Sequence, residues 1–195
     1  MILDKKIEKK KRLFDSAYDL FLKKGINDTS IQEIADNADV GKGTFYLYFK
    51  DKYDLEEQLI ANKSEELFEN ALDKLYNTRI EKFEEQIIFI LNYIIDVLSN
   101  QKKLLKLISK NLSYGIYNSN LNKKIDEANG IKDMFINGIK EHHIRLDNPE
   151  ITLFMIIELA SATCFNCILN SDPLSINEYK PYLYNTIKKM LVDKD

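Results

Sequence analysis

The chain of 195 residues is poor in helix breakers, with 6 glycines and 3 prolines, where an average soluble chain carries roughly 12% of the two together. Turn-rich β-sandwiches and barrels depend on Gly and Pro for their tight turns, so the shortage excludes them and predicts a small number of long helices. Two cysteines are too few for a disulfide framework. The only histidines, His142 and His143, are neighbours and cannot easily join one metal site, so neither a metal nor another cofactor is expected. No Ser/His/Asp, paired-carboxylate or phosphate-loop spacing stands out, and no enzyme activity is expected. Met1–Lys24 is Lys-rich and amphipathic, unlike a secretory signal; the expectation is a cytoplasmic protein. One long apolar run exists, Ile151–Leu169. It carries Glu158 near its middle, which reads as a buried helix and no membrane span.

What is present is unevenly distributed. The net charge is −3, yet residues 1–52 hold 11 Lys/Arg against 9 Asp/Glu, while residues 53–195 hold 17 against 22. The basic charge is concentrated in Lys5, Lys6, Lys9, Lys10, Lys11 and Arg12. Helical periodicity recurs along the chain and gives an all-α fold of about nine helices and no strands. A first helix ends at Gly25, where a left-handed C-cap belongs. Ser30-x-x-Glu33 is a capping box opening a short helix, Ile31–Asn37. Ala38–Gly41 is a tight turn, and a second short helix runs Lys42–Tyr48. Asp51 caps a long helix from Lys52 to about Tyr76. Further helices are expected over 80–100, 101–111, 121–144, 149–170 and from about Tyr179 to Val192. The 121–144 helix is kinked or in two parts, flawed by Gly130 and Gly138, and Pro181 delays the last one.

Two short helices joined by a four-residue turn, directly after a longer helix, match a helix-turn-helix. There the second helix enters the major groove and the first braces it. Phe45 and Phe49 share its buried face, which leaves Lys42, Thr44, Tyr46 and Tyr48 turned elsewhere and Gly43 as room for close backbone approach. The run Thr29-Ser30-Ile31-Gln32-Glu33-Ile34-Ala35, then Ala38 to Leu55 with its Lys42-Gly43-Thr44-Phe45-Tyr46-Leu47-Tyr48-Phe49 core, resembles the DNA-binding signature of TetR-family (tetracycline-repressor-like) transcriptional regulators. The resemblance covers roughly residues 10–55. It implies a helix-turn-helix domain over 1–52, an effector-binding and dimerisation domain over 53–195, and a homodimer on a palindromic double-stranded DNA operator, released by a small, largely hydrophobic molecule. It also implies that Lys42, Gly43 and Thr44 meet bases or nearby phosphates, that Tyr46 and Tyr48 meet the DNA backbone, and that Lys52, Thr29 and Ser30 lie at phosphates. Two positions depart from the family pattern. Gly41 stands where Ser is common, and Asp51 stands where Ser or Asn is common and adds a negative charge. In this setting the basic run at 5–12 is also expected at phosphates.

In the second half, aromatic residues on the central helices (Phe89, Tyr93, Tyr114, Tyr117, Phe135, Phe154 and Phe165), with Glu158, are the candidates for lining an effector pocket. The 149–170 helix is apolar on more than one face. Small residues Ala160, Ser161 and Cys164, with Tyr179, Leu183, Ile187 and Met190 of the last helix, are the expected dimer interface, as in a four-helix bundle. Cys164-x-x-Cys167 reads as buried structural cysteine. Two other readings remain open at this level: a helical small-molecule-binding protein without an operator, and a small all-α enzyme acting on a hydrophobic substrate.

Overall fold

A computed structural model describes residues 2–108 and 130–192. Among them are nine helices and no strands: α1 (Ile2–Lys24), α2 (Ile31–Asn37), α3 (Lys42–Tyr46), α4 (Lys52–Tyr76), α5 (Phe83–Asn100), α6 (Lys102–Ile108), α7 (Ile131–Glu141), α8 (Pro149–Asn170) and α9 (Ile176–Met190). The chain packs as two units, Met1–Asn62 and Lys63–Asp195. The division falls inside α4. Tyr114, Tyr117, the break expected around Gly115 and the first part of the 121–144 helix lie outside the described residues.

The first unit is built by local signals that the sequence announces. Gly25 stands at φ +83° and its N–H bonds to the Phe21 carbonyl at 2.9 Å, closing α1. Ser30 and Glu33 form the capping box at the start of α2. The Asp51 carboxylate accepts the N–H groups of Tyr53 and Asp54, both at 2.9 Å, and so starts α4. Its negative charge is therefore engaged with the helix that it caps. Leu13, Ala17 and Phe21 of α1, Ile34 and Ala35 of α2, and Phe45 and Phe49 at α3 are buried together with Leu55 and Leu59 of α4.

In the second unit α8 packs against α7, α9, α5 and α6. Asn148 caps it by accepting the Ile151 N–H at 3.1 Å, and Pro149 opens it. By length and composition α8 could cross a membrane, yet eight of its 22 residues are buried within the unit. Polar contacts tie α9 to α5. The Lys180 ammonium donates to Asn92 Oδ1 at 2.9 Å and pairs with Asp96. The Tyr184 hydroxyl donates to the same Asn92 oxygen at 2.8 Å, and Lys188 meets Glu85 at 2.5 Å.

Three expectations change. The last helix is not delayed: it starts at Ile176 behind a second capping box, Ser175 with Glu178, and Pro181 sits inside it. Only one internal N–H is lost there, and the exposed carbonyl that it would have met can be hydrated. Gly138 does not break its helix either, since α7 is continuous from Ile131 to Glu141. Its role is steric: a Cβ on Gly138 would lie 2.1 Å from the Phe83 ring. That ring also packs on Phe135 and His142, with centroids 5.5 and 5.8 Å away.

The third change concerns the predicted dimer face. Ala160, Cys164, Leu183 and Ile187 are buried within their own unit, and Ser161, Tyr179 and Met190 are half-buried. The exposed apolar side chains are instead Ile151, Phe154 and Met155 of α8, Tyr182 of α9 and Val192 after it. Small residues on α8 admit close approach by neighbours of the same chain.

Replacing Gly138 by Ala removes a helix-weakening glycine, which by itself would stabilise by about 1 kcal/mol. The displaced Phe83 ring outweighs that gain, as overpacked cores lose about 1–3 kcal/mol. The urea midpoint of Gly138→Ala is therefore expected to fall, and a rise would show that the ring relaxes freely.

Candidate nucleic-acid interface and apolar cavity

The α3 helix has five residues, too few to persist alone. Its place comes from one face. Phe45 and Phe49 are almost fully buried, with ring centroids 5.5 Å apart, and Phe49 meets Phe14 of α1 edge-on at 5.3 Å. The brace is equally defined. The Ser16 hydroxyl of α1 donates to the Ile34 carbonyl at 2.8 Å, and the Asn37 amide donates to Ser16 Oγ at 3.2 Å. Between α2 and α3, Asp39 takes φ +51° and pairs with Arg12 at 3.4 Å.

With the buried face fixed, α3 presents Lys42, Gly43, Tyr46 and Leu47 to solvent and half-buries Thr44. Gly43 has open space where a side chain would stand. Leu47 continues the helical turn and, at 77%, is the most exposed large apolar residue among those described. It has no hydroxyl, charge or hydrogen-bonding group to mark it among the expected contacts. A helical wheel would have found it, since Leu47 lies opposite the midpoint of Phe45 and Phe49 and one turn beyond Gly43.

The other expected phosphate ligands are placed differently. Lys52 donates its ammonium to three carbonyls, Ile26 at 2.8 Å, Asn27 at 3.0 Å and Thr29 at 3.0 Å. An ammonium has three donors, so all are used inside the α1–α2 connector. Thr29 is 1% exposed, and its hydroxyl donates to the Gly25 carbonyl at 2.7 Å. It is a core residue of the connector. Ser30 is exposed, with its hydroxyl in the capping box. Tyr48 is half-buried and its hydroxyl donates to the Lys6 carbonyl at 3.1 Å, holding the end of α3 to α1.

The basic run divides in the same way. Lys5, Lys6, Lys9 and Lys11 are exposed. Lys10 instead lies over the rings of Phe14 and Phe49, at 5.4 and 5.7 Å from their centroids. Burial pushes its pKa down, against the opposing pull of Asp54. Arg12 is the brace to Asp39. At the front of α2, Glu33 has its pKa lowered to about 2, first by the Lys24 ammonium bonded at 2.6 Å and then by the Ser30 backbone and hydroxyl. The capping box thus keeps its carboxylate throughout the neutral range. It weakens only as pH falls through the lowered value.

The second unit holds a narrow cavity of about 40 Å³. Its wall is aliphatic: Leu91, Ile94, Ile95 and Leu98 on α5, Leu105 and Ile108 on α6, and Ile157, Ala160, Ser161, Cys164 and Ile168 on α8, with Phe68 of α4. Ser161 and Cys164 are its only polar groups among the described residues. Burial, helped by Cys167, pushes the Cys164 thiol up to about 12, and both cysteines are free. None of the described aromatic candidates lines this cavity. Phe135 packs on Phe83 in the core, Phe154 faces outward, and Phe89, Tyr93, Glu158 and Phe165 are half-buried elsewhere. On α5 the positions at 91, 94, 95 and 98 share the face that lines the cavity, while 89 and 93 fall on the opposite side of the helix.

Residues 13–59 match the family model described as bacterial regulatory proteins, tetR family. The chain is 26% identical to the uncharacterized HTH-type transcriptional regulator YhgD of Bacillus subtilis, over 86% of this chain and 88% of that one. Two solved structures share the fold. Thermus thermophilus FadR, described as a TetR-family transcriptional repressor in complex with lauroyl-CoA, is 17% identical with a TM-score of 0.67, covering 95% of this chain and 96% of that chain. Bacillus subtilis FadR in complex with stearoyl-CoA is 17% identical with a TM-score of 0.60, covering 90% and 96%.

The geometry of Lys52 makes a distinction that salt can read. Lys52→Met is expected to weaken DNA binding while leaving the slope of log affinity against log salt unchanged, because the connector loosens but no phosphate contact is lost. Each phosphate contact removed from duplex DNA reduces that slope by about 0.9. A shallower slope for Lys52→Met would make the ammonium a phosphate ligand after all.

Proposed function

The chain belongs to the TetR family of transcriptional regulators, and from that premise we propose that it is a homodimeric repressor, acting in the cytoplasm, whose grip on a palindromic operator is released by a small, largely hydrophobic ligand. The observation that carries the reading is the pairing of a rigidly braced α3, with Lys42, Gly43, Thr44 and Tyr46 at its outer side, with an aliphatic cavity in the other unit. Four exposed lysines at 5, 6, 9 and 11 add sequence-independent attraction to phosphate. The acyl-CoA ligands of the two FadR structures give the ligand a chemistry that suits this wall: an alkyl chain gains by burial against Leu and Ile side chains.

A water needs about 10–15 Å³ of such space, so a cavity of about 40 Å³ must widen to admit an alkyl chain. A ligand that binds only the widened form draws the population towards it. If that form presents α3 less well to DNA, affinity falls by the same coupling free energy.

Fluorescence anisotropy with the full chain and the DNA upstream of its own gene tests this. Binding is expected to weaken steeply with added salt and to be relieved by a long-chain acyl-CoA. The larger side chain of Ala160→Val takes up cavity space, so this variant should bind DNA as before and lose the response. Relief that persists in Ala160→Val would move the ligand out of this cavity.

The exposed apolar residues of α8 and α9 supply the dimer contact in this reading, since Ile151, Phe154 and Met155 share one face of α8 by their spacing and exposed apolar clusters mark interaction sites. Phe154→Glu with Met155→Glu is expected to yield a folded monomer by sedimentation and to cost most of the operator affinity, as two half-sites must be held together. A double variant that sediments as a dimer would place the interface elsewhere.

A further inference from the structure

We propose that Leu47 reads thymine, by packing against the 5-methyl group of a thymine in the major groove, and so sets the base preference of the reader at one position of each half-site. The proposal rests on the DNA-binding reading above. It goes beyond it by naming the base and the side chain.

The direction of Leu47 is fixed by what is buried behind it. Phe45 and Phe49 anchor one side of α3, and Tyr46 meets Phe45 edge-on at 5.4 Å. The Leu47 N–H bonds to the Thr44 carbonyl at 3.2 Å and its backbone stays helical. Leu47 therefore projects from the side of α3 opposite the core, in line with Gly43 one turn earlier. Gly43 leaves that line bare, so the first side chain met by anything approaching along it is the leucine. Lys42 and Lys50 are exposed on either side in sequence and suit a polyanion.

The chemistry then narrows the partner group. Leucine has no donor or acceptor, so it cannot read a base edge by hydrogen bonds. In the major groove only thymine offers an apolar group; guanine, adenine and cytosine present acceptors and amino groups there. A side chain 77% exposed in a cationic setting gains by covering that methyl and loses by desolvating the polar edge of any other base.

The test uses the full chain and a duplex that it enriches from a random-sequence pool. Each thymine of that duplex is replaced in turn by deoxyuridine, which removes only the methyl. Burial of one such group is worth about a fourfold change in affinity. Wild type is expected to lose about that factor at one thymine per half-site. Leu47→Ala, a surface change that leaves the fold intact, is expected to bind the thymine duplex correspondingly more weakly and to be indifferent to the uracil. If every uracil duplex binds wild type as tightly as the parent, or if Leu47→Ala keeps the full uracil penalty, the assignment to Leu47 is wrong while DNA binding stands. If Leu47→Ala binds the parent duplex as tightly as wild type, the leucine makes no favourable contact with DNA and the assignment fails. If no duplex is enriched at all, the DNA reading itself fails, and Leu47 with it.

Discussion

Everything that the first unit presents depends on how a five-residue helix is held in one orientation. α3 has no side-chain cap at Gly41 and cannot be helical by propensity alone. Its order is borrowed from two phenylalanines driven into a core shared with α1, and from the ammonium of Lys10 lying over the rings of Phe14 and Phe49. Because the anchors lie on one side, the other side is free of structural duty and can change without unfolding the unit. That division separates what keeps the helix in place from what the helix can recognise.

The same economy appears in the connector before it. Ser30 and Glu33 start α2, Thr29 turns back to Gly25, and Lys52 gathers three carbonyls, of which that of Ile26 also accepts the Thr29 N–H. A carbonyl shielded from water at a chain reversal is costly to leave unpaired, and one flexible ammonium reaches all three. Lys52, expected at a phosphate, here directs its three donors to these carbonyls.

Much of this was legible in the sequence because it is local. The Gly25 cap, both capping boxes, the Asp51 cap and the Phe45–Phe49 pair each announce themselves within a turn or two of chain, where geometry admits few alternatives. What the sequence did not disclose depends on partners far along the chain. Lys52 reaches back 26 residues to Ile26, and no spacing rule foretells that. The cavity wall is aliphatic because α5 and α8 face one another in a particular rotation, which leaves Phe89 and Tyr93 on the far side of α5, Phe135 in the core and Phe154 at the surface. Ala160 and Cys164 are small, and smallness fits an inner crossing as well as an outer one. Leu47 is legible in the helical phase, but it carries neither the hydroxyl nor the charge by which a DNA contact is read from sequence.

Gly138 and Phe83 are far apart in the chain and occupy one space. With the ring seated on bare backbone, neither position can be varied by itself at low cost, since a side chain at 138 collides and a smaller one at 83 leaves a void. The two positions behave as a single site with a required order of change: the ring must shrink before the glycine can grow. Single-residue libraries of this domain will therefore score changes at either position as destabilising. The region is open only to paired exploration, which hides a route by which the shape of the second unit could be remade.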